Sequence, residues 1–552
     1  MNSTIACNDT THSIAHECAA RRIALSAKTR LAIALAIALP AAALAASYAG
    51  GRADGALAPD FAYVSPHYAL RLSQRAERNA MRQPQTPAHR GMVPSGNTLP
   101  VTSCADDDGP GTLRNVVYSA SEGDTVDLSQ LTCGTITLLE GAIDIGVLGD
   151  HHINDLSIAG PGADALTIDG NGDRVFVHGD FQLGLGTLSI SDLTIANGNY
   201  THGLASCIDS SGNIELTRAV VTGCKASGGG PLTFGGAVSA AYLTMTSSTI
   251  ADSTSQAAGD NVAIGGGAYV SGDATLIGST ISGNVAIAQT PGDGTYYLTA
   301  GGGLYVRSGL SMEASTISDN GLVTYDLLHG PGGGIFVRAD TEIADSTFVH
   351  NGAAIGGGLY KAVFSHYGDP GTTLTITNST FSVNGAYYFG GAIVTFRPTT
   401  ITSSTISQNN AGLGIAGIWC RGSDVALELQ STIVAKNAYG DTPGTYADIV
   451  CEHPITIAGS SNLVIATGNV TLPEDTLDDD PLLAALADNG GPTETMALDP
   501  KSPAIDVGNN VADLVFDQRG KGFTRVSGAG PDIGAFELQV APDDTIFENG
   551  FD

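Results

Sequence analysis

Short segments in which apolar and polar residues alternate dominate the chain from about residue 187 onward. The segments Leu374-Thr375-Ile376-Thr377 and Ala344-Asp345-Ser346-Thr347-Phe348 show this alternation and are rich in β-branched residues. A period of two residues is typical of a half-buried strand, and neither segment has the 3.6-residue period of a helix. The pattern therefore predicts many short strands.

The predicted strands belong to a repeat. One phrase, Ser-Thr-Ile or Ser-Thr-Phe, recurs every 25 to 36 residues, starting at Ser248, Ser279, Ser315, Ser346, Ser379, Ser404 and Ser431. A second phrase, Gly-Gly-Gly followed by an apolar pair, starts at Gly265, Gly301, Gly332 and Gly356. A propeller blade needs four strands in ~40–45 residues, so this repeat is too short for one. We therefore predict an all-β protein, a right-handed parallel β-helix of roughly ten coils with capped ends.

Each Ser-Thr-Ile/Phe phrase from Ser279 to Ser404 is followed by an asparagine three residues after its Ile or Phe. These residues are Asn284, Asn320, Asn351, Asn384 and Asn409. Equivalent positions of parallel coils stack ~4.8 Å apart, so we expect the amides to form a structural hydrogen-bonded ladder. The glycine triplets are interpreted as tight corners that need positive φ or close backbone approach.

Several motifs resemble known families of exported bacterial proteins. Phe381-x-x-Asn384 and Gly390-Gly391-Ala392-Ile393 resemble the FxxN and GGAI motifs of polymorphic outer-membrane protein repeats. The segment from Gly111-Thr112-Leu113-Arg114 to Gly123-Asp124-Thr125-Val126 is similar to the first coil of pectin-lyase-like β-helix proteins. Residues 478–537, with Asp488-Asn489-Gly490-Gly491-Pro492-Thr493 and Asp532-Ile533-Gly534-Ala535-Phe536-Glu537, resemble the choice-of-anchor Q domain. The resemblance implies export and a surface or extracellular life, but no particular activity.

The remaining sequence predicts the domain organisation. Residues 1–46 have a basic region and an apolar run typical of a signal peptide. We interpret 47–100 as a Pro- and Arg-containing linker, 101–186 as the N-terminal cap and first coils, and 187–450 as the repeats. Residues 451–540 form the choice-of-anchor Q-like region and 541–552 a terminal tail. The segments 101–135 and 478–537 are expected to cap the solenoid.

Composition and cysteines restrict the environment and the partners. A net charge of −31, from 24 basic and 55 acidic residues, argues against nucleic acid as a partner. No apolar run after the leader is long enough to span a membrane. Proximity suggests three disulfides, Cys104–Cys133, Cys207–Cys224 and Cys420–Cys451, although six cysteines allow 15 connectivities. We expect the chain to be exported to the extracellular space or the cell surface, with association to the outer membrane.

Candidate chemistry is sparse. Arg307 and Arg338 follow the glycine phrase by equal intervals and are candidate catalytic residues, although we favour a solvated stripe. The segment Asp169-Gly-Asn171-Gly-Asp173 begins like a Ca²⁺-binding loop, but Arg174 stands where that loop needs glycine. We therefore interpret it as a turn and predict no cofactor and no metal site, with Ca²⁺ as the alternative. Asp517, Arg519, Arg525, Asp532 and Glu537 are expected to form a buried ion-pair network, and Trp419 is interpreted as a core residue.

The stretches after each asparagine vary in length and are expected to be loops on one side of the helix. With their flanks they hold the candidate ligand-binding residues Tyr296, Tyr297, Tyr325, His329, Tyr387, Tyr388 and Phe389. Tyrosine rings suit sugars or a protein surface, although they also suit packing against the coil beneath.

The sequence thus favours a non-catalytic secreted or cell-surface protein with a role in adhesion, glycan binding or the envelope or matrix. A polysaccharide or a surface protein is the expected partner, and the chain is expected to be a monomer. The alternatives are a lyase or hydrolase that acts on acidic polysaccharide, in the manner of a pectate lyase, and a structural spacer.

Overall fold

The chain winds through four parallel sheets in a fixed order. The computed structural model describes residues 96–146, 153–179, 186–228, 232–257, 262–288, 299–324, 330–362, 371–440, 445 and 447–539. The predicted signal peptide, nearly all of the linker and the terminal tail lie outside these residues. In each of the four sheets, the neighbours of a strand are the equivalent strands of the coils before and after it.

The first sheet has 13 strands and the second has 12. The strands of the first sheet are Thr98–Pro100, Thr125–Asp127, Leu156–Ala159, Thr187–Ser191, Asn213–Thr217, Tyr242–Thr246, Ala274–Ile277, Leu310–Glu313, Thr341–Ala344, Leu374–Thr377, Thr399–Thr402, Leu427–Gln430 and Ala458–Ser460. Those of the second sheet are Thr135–Thr137, Thr167–Asp169, Thr194–Ala196, Val220–Thr222, Thr249–Ala251, Thr280–Ser282, Thr316–Ser318, Thr347–Val349, Thr380–Ser382, Thr405–Ser407, Ile433–Ala435 and Leu463–Val464.

The third sheet has nine strands and the fourth has 12. The strands of the third sheet are Asn199–Tyr200, Lys225–Gly228, Thr254–Ala257, Val285–Ala288, Gly321–Thr324, Gly352–Ile355, Gly385–Phe389, Asn410–Ala411 and Ala438–Tyr439. Those of the fourth sheet are Ile143–Ile145, Phe176–His178, Ile208–Ser210, Val238–Ala240, Ala268–Val270, Leu304–Val306, Ile335–Val337, Leu359–Lys361, Ile393–Thr395, Ile418–Cys420, Ile449–Thr456 and Thr467–Thr471.

Three smaller elements complete the described structure. A short parallel sheet between the third and fourth sheets contains Leu232–Phe234, Val262–Ile264 and Thr299–Ala300. The strands Leu483–Ala487 and Thr495–Leu498 form an antiparallel pair. The helix spans Leu113–Ser119.

This topology confirms the predicted parallel β-helix. The 12 strands of the second and fourth sheets give slightly more coils than the roughly ten expected. The right-handed sense of the coil stays a prediction, based on the strong preference of parallel crossovers for that hand.

Alternation places the core inside the coils. In the strand Thr187–Ser191, Leu188 and Ile190 are buried while the residues between them are half-buried, and the same alternation recurs in Asn213–Thr217. The inward residues of successive coils form one continuous apolar core. Each coil therefore buries its apolar surface against its two neighbours.

The second sheet is flanked in each repeat by two tight corners. A residue with positive φ stands before the serine of Ser-Thr-Ile/Phe, for example Ala314 (φ 47°), and another stands before the asparagine, for example Asp319 (φ 56°). At the first corner the serines stack. The backbone N–H of Ser279 donates to Ser315 Oγ at 3.0 Å, and that of Ser315 donates to Ser346 Oγ at 3.1 Å.

The second corner contains a ladder of buried asparagines. From Asn284 the Nδ2 groups donate to the next Oδ1 at 3.0, 3.0, 2.9, 2.9 and 2.8 Å, which reaches Asn437. Asn437 Nδ2 in turn donates to Asp448 Oδ1 at 2.8 Å. Burial raises the pKa of Asp448 to about 6. The carboxylate provides an acceptor-only end for a chain of donors.

Asn437 was not predicted to belong to the ladder. The Ser-Thr-Ile phrase of the last repeat is one residue out of register with the strands, so the expected spacing misses this asparagine. The strand pairing aligns Thr405 with Ile433 and Ile406 with Val434. The stacked hydroxyl of this coil therefore belongs to Thr432, which receives the N–H of Ser404 at 3.4 Å. Ser431, the serine of the seventh phrase, occupies the positive-φ position instead (φ 49°).

The glycine triplets make room for the ladder. The first glycine has positive φ, as in Gly301 (φ 66°). A Cβ on the second, Gly302, would lie 2.3 Å from the carbonyl oxygen of Gly333, and one on the third, Gly303, would lie 2.8 Å from the amide carbon of Asn320. The glycine phrase and the asparagine phrase are thus two parts of one packing arrangement.

The helix Leu113–Ser119 covers the first coil. Leu113, Val116 and Val117 are buried and belong to the main core. Arg114 pairs with Asp106 at 2.8 Å and donates to the carbonyl oxygens of Gly141 and Ala142. The helix therefore covers apolar core residues at the amino end of the solenoid.

The C-terminal region, which we define as residues 478–539, lies along the outer face of the second sheet. Thr380 Oγ1 donates to Gln518 Oε1 at 2.6 Å, and the N–H of Ala535 donates to Thr405 Oγ1 at 3.0 Å. Ile433 and Leu463 pack against apolar residues of the region. The segment expected to cap the solenoid therefore covers the side of its last coils.

Inside this region, the expected ionic residues are buried and paired. Arg519 pairs with Asp517 at 2.5 Å and its guanidinium lies between the rings of Phe523 and Phe536. Arg525 pairs with Glu537 at 3.4 Å, and its guanidinium also donates to the carbonyl oxygens of Asp532 and Gly534. These contacts hold the turns of the C-terminal region against one another.

The three local disulfides are confirmed. Cys104 is bonded to Cys133, Cys207 to Cys224 and Cys420 to Cys451. Disulfides indicate folding in an oxidising compartment. Among the described residues, none forms a helix that is long and apolar enough to cross a membrane.

Candidate functional site

The outer face of the fourth sheet carries a column of aromatic side chains. In the glycine phrase the first residue of the apolar pair points into the core and the second points outward. The strand pairing stacks the outward residues, and we call them the aromatic column: Tyr269, Tyr305, Phe336, Tyr360 and, one coil beyond Val394, Trp419. The ring centroids of the first four are 5.5, 4.8 and 5.4 Å apart, within the range of favourable stacking.

The middle of the aromatic column is packed rather than open. Tyr305 and Phe336 are each 2% exposed. Burial raises the pKa of Tyr360 to about 12, so this phenol stays neutral at any physiological pH. These rings stabilise the stacked coils and offer little surface to a ligand.

The column ends in a half-buried group that we call the aromatic cluster. Its members are Tyr387, Tyr388, Phe389, Phe396 and Trp419. Phe389 lies 4.8 Å from Trp419 between ring centroids, and Tyr387 contacts Tyr388 edge-on at 4.7 Å. The ring of Phe389 also lies against Gly414, where a Cβ would come within 2.9 Å of it. The rings are therefore held in place while part of their surface stays accessible.

Three of the sequence-predicted binding residues, Tyr387, Tyr388 and Phe389, come together in this cluster. Tyr296, Tyr297, Tyr325 and His329 lie outside the described residues. Trp419, interpreted from sequence as core, is half-buried on the outer face. The signal for it was its position after Ile418, as the second residue of an apolar pair.

Basic residues line the edge of the fourth sheet beside the aromatic column. Between residues 226 and 500 the chain has six basic residues, and five of them fall in five successive coils at this edge: Arg307, Arg338, Lys361, Arg397 and Arg421. We call them the basic edge. The sixth, Lys436, pairs with Asp480 at 2.7 Å on the other side of the coil.

Two arginines of the basic edge, Arg338 and Arg421, lie over aromatic rings. Arg307 and Arg338 occupy equivalent positions, since Val306 pairs with Val337. The guanidinium of Arg338 lies 5.9 and 5.7 Å from the ring centroids of Tyr305 and Phe336. In the aromatic cluster, the guanidinium of Arg421 lies 4.5 Å from Trp419 and 5.1 Å from Phe396. Rings hold these planar cations without neutralising their charge.

Lys361 differs from its neighbours because it points into the coil. Its side chain is fully buried, and its Nζ donates to the carbonyl oxygen of Arg338 at 2.9 Å and to that of Ala339. It therefore fixes the corner from which Arg338 projects.

Ion pairing differs among the outer arginines. Arg421 lies 3.8 Å from Glu452. Arg307 and Arg397 are half-buried and form no ion pair with any part of the chain that the structure describes. On a chain with a net charge of −31, this edge is a local concentration of positive charge.

These groups favour binding over acid–base chemistry. A guanidinium stays protonated in proteins, so Arg307 and Arg338 do not provide a ready proton acceptor. Flat rings pack against the apolar faces of sugars, and guanidinium groups bind carboxylate or sulfate in a bidentate way.

The other candidate for a ligand site, the segment from Asp169 to Asp173, forms a turn. Asp169 Oδ1 accepts the N–H of Asn171 at 2.7 Å, and Asp169 Oδ2 accepts the amide of Asn197 at 2.7 Å. Throughout the described ranges, no group of three or more His, Cys, Asp or Glu side chains is placed to hold a metal ion.

The chain matches no family model, no curated protein and no solved structure. The resemblances to polymorphic outer-membrane protein repeats and to the choice-of-anchor Q domain stay predictions that rest on the motifs themselves. What is established is a parallel β-helix closed by three disulfides, with an aromatic and basic face on its fourth sheet.

Proposed function

We propose that this chain is an exported, non-catalytic protein that binds an acidic polysaccharide through the aromatic cluster and the basic edge. The observation that carries the proposal is the placement of four arginines, Arg307, Arg338, Arg397 and Arg421, at one edge of the fourth sheet beside aromatic rings, in a chain with a net charge of −31. Aromatic rings alone would suit neutral sugars. The adjacent guanidinium groups add a preference for carboxylated or sulfated ones.

The repeat itself supports a polymeric ligand. Equivalent residues of neighbouring coils lie ~4.8 Å apart, so Arg307 and Arg338 are one coil apart along the solenoid axis and Arg421 lies three coils beyond Arg338 at the same position. A chain with an acidic group on many of its sugars would meet several of these cations at once. Many weak contacts in a row give tight binding through multivalency.

Calorimetry on the full chain tests this function, with a polyuronate and a neutral glucan of similar length as ligands. We expect the polyuronate to bind and the glucan to bind at least tenfold more weakly. Arg421→Ala and Trp419→Ala should each weaken polyuronate binding about tenfold, since each removes one partner of the stacked pair. The control is Lys501→Ala, an exposed cation of the C-terminal region.

Two results would contradict the proposal. Equal binding of both polymers would remove the role of the basic edge. Release of unsaturated sugars from the polyuronate, abolished by Arg338→Ala, would favour a lyase instead.

A further inference from the structure

The C-terminal region exposes a patch of apolar side chains on a hairpin. Phe516 pairs with Thr524 in an antiparallel bridge, and the N–H of Arg525 donates to the carbonyl oxygen of Val515 at 3.0 Å. We define the valine patch as Val511, Leu514, Val515, Phe516 and Val526. Val511, Val515 and Val526 are 61%, 69% and 49% exposed, and the other two residues are half-buried.

This concentration of exposed apolar surface is unusual for the molecule. Of the ten large apolar side chains that are exposed in the described residues, four lie between Val507 and Val526. Clustered apolar surface of this kind marks a contact with another segment or molecule, whereas single exposed residues do not.

The chain leaves the described structure beside this patch. Gln539 Nε2 donates to the carbonyl oxygen of Thr524 at 3.0 Å, and Thr524 Oγ1 donates to Gln539 Oε1 at 3.3 Å. Thr524 is the direct partner of Phe516 across the hairpin. Gln539 is therefore tied to the strand that borders the valine patch.

The residues that follow have a composition that fits the patch. Residues 540–552 contain Ile546, Phe547 and Phe551. They also contain four acidic residues and no basic one, while the tip of the hairpin carries the exposed Lys521. The seven steps from Gln539 to Ile546 span at most about 25 Å, at ~3.3–3.6 Å per residue, which is enough to return across a hairpin.

We infer that residues 540–552 fold back onto the hairpin of the same chain and cover the valine patch with Ile546, Phe547 and Phe551. Their acidic residues lie toward Lys521. The contact buries apolar surface on both sides and holds this segment against the C-terminal region.

Hydrogen exchange on the full chain tests this contact, with the double variant Phe547→Ser and Phe551→Ser as the perturbation. We expect the amides of residues 511–516 and 524–526 to exchange at least fivefold faster in the double variant than in the parent. Asn549→Ala is the matched control, because it alters the same segment without removing an apolar side chain, and it should leave the exchange unchanged. Lys521→Glu should speed the exchange by a smaller factor, and Lys521→Arg should not.

Light scattering on the same samples gives the oligomeric state. It distinguishes a patch covered by residues 540–552 of the same chain from one covered by a second copy. A monomeric parent with faster exchange in the double variant supports the inference. Unchanged exchange in the double variant would overturn it, because residues 540–552 then do not cover the patch. A dimer that dissociates in the double variant would also overturn it, because the segment of a second copy would then be the occupant.

Discussion

At the scale of single residues, the fold depends on positions that hold the same residue in successive coils. Some of these residues stack through their side chains, and others are glycines that leave room for the stack. The third glycine of each triplet and the ladder asparagine are such a pair. Gly303 faces the amide of Asn320 so closely that a methyl group does not fit. Other glycines at strand starts have no such neighbour, and a Cβ on Gly385 would meet nothing within 4 Å.

The comparison of Gly303→Ala with Gly385→Ala tests this pairing. We expect Gly303→Ala to lower the free energy of unfolding by about 2–3 kcal/mol, since overpacking in a close-packed interior costs this much. Gly385→Ala should be neutral or slightly stabilising, since it only restricts the unfolded chain. Chemical denaturation followed by circular dichroism measures both. Equal effects of the two variants would show that the ladder tolerates a displaced amide.

Asp448, at the end of the ladder, makes stability depend on pH. Burial raises its pKa in the folded state from 3.8 to about 6, so the folded chain binds a proton more readily than the unfolded chain. This contribution is present in full below about pH 4 and is lost as the pH rises through about 6. We expect Asp448→Asn to remove a decrease of about 1–3 kcal/mol between these pH values, as measured by denaturation at each pH. A pH dependence identical to that of the parent would assign the effect to other groups.

At the scale of elements, the docking of the C-terminal region depends on one buried amide. Gln518 is fully buried, and its Nε2 donates to Thr347 Oγ1 at 2.8 Å and to Thr493 Oγ1 at 3.0 Å. Its Oε1 accepts from Thr380. The residue therefore joins two coils of the second sheet to the region that covers them.

Replacement of Gln518 by Ala should loosen this region. Buried hydroxyl groups would lose their partners, which costs about 1–3 kcal/mol for each group left unsatisfied. We expect proteases to cleave within residues 478–539 at least tenfold faster, while the coils before Thr347 stay protected. Gln130→Ala, at an exposed position, is the control. Uniform cleavage throughout the chain would show that the region and the solenoid unfold together.

The elements also show what the sequence predicts well and what it does not. The coils, their asparagines and the cysteine pairs follow from phrases that recur along the chain. The docking surface of the C-terminal region does not, because Thr347, Thr380 and Thr405 occupy the same position as the threonines of uncovered coils, such as Thr280. Tertiary contacts determine which of these threonines are covered. Such contacts produce no pattern in the local sequence.

The candidate site, too, was predicted only in part from the sequence. Tyr387, Tyr388 and Phe389 were identified from their aromatic composition. Trp419 was assigned to the core as a lone tryptophan beside a cysteine, although its position after Ile418, as the second residue of an apolar pair, indicates the outer face. Arg307 and Arg338 were aligned from the sequence by their equal intervals from the glycine phrase. The register of the strands was needed to place Arg421 at the same position three coils after Arg338.

At the scale of the whole molecule, the ladders should divide the solenoid into parts of different stability. In a linear repeat, stability is approximately the sum of terms within coils and between neighbouring coils. From Asn284 to Asp448 each neighbour interface contains an asparagine contact in addition to its backbone bonds. The earlier coils replace the asparagine by Ser253 and, before that, by the disulfide-bonded Cys224.

This difference predicts an uneven pattern of hydrogen exchange. The amides of second-sheet strands between Thr280 and Val434 should exchange at least tenfold more slowly than those between Thr135 and Ala196, because local opening there breaks side-chain bonds as well as backbone bonds. Asn351→Ala interrupts the ladder at its centre and removes the Oδ1 that accepts from both the backbone N–H and the Nδ2 of Asn320. In this variant we expect faster exchange in the coils of Asn320 and Asn384 and no change between Thr135 and Ala196, while Asn199→Ala, at an exposed position, should change neither. A uniform loss of protection would mean that the coils open as one unit, since a perturbation confined to one interface would then reach both ends of the helix.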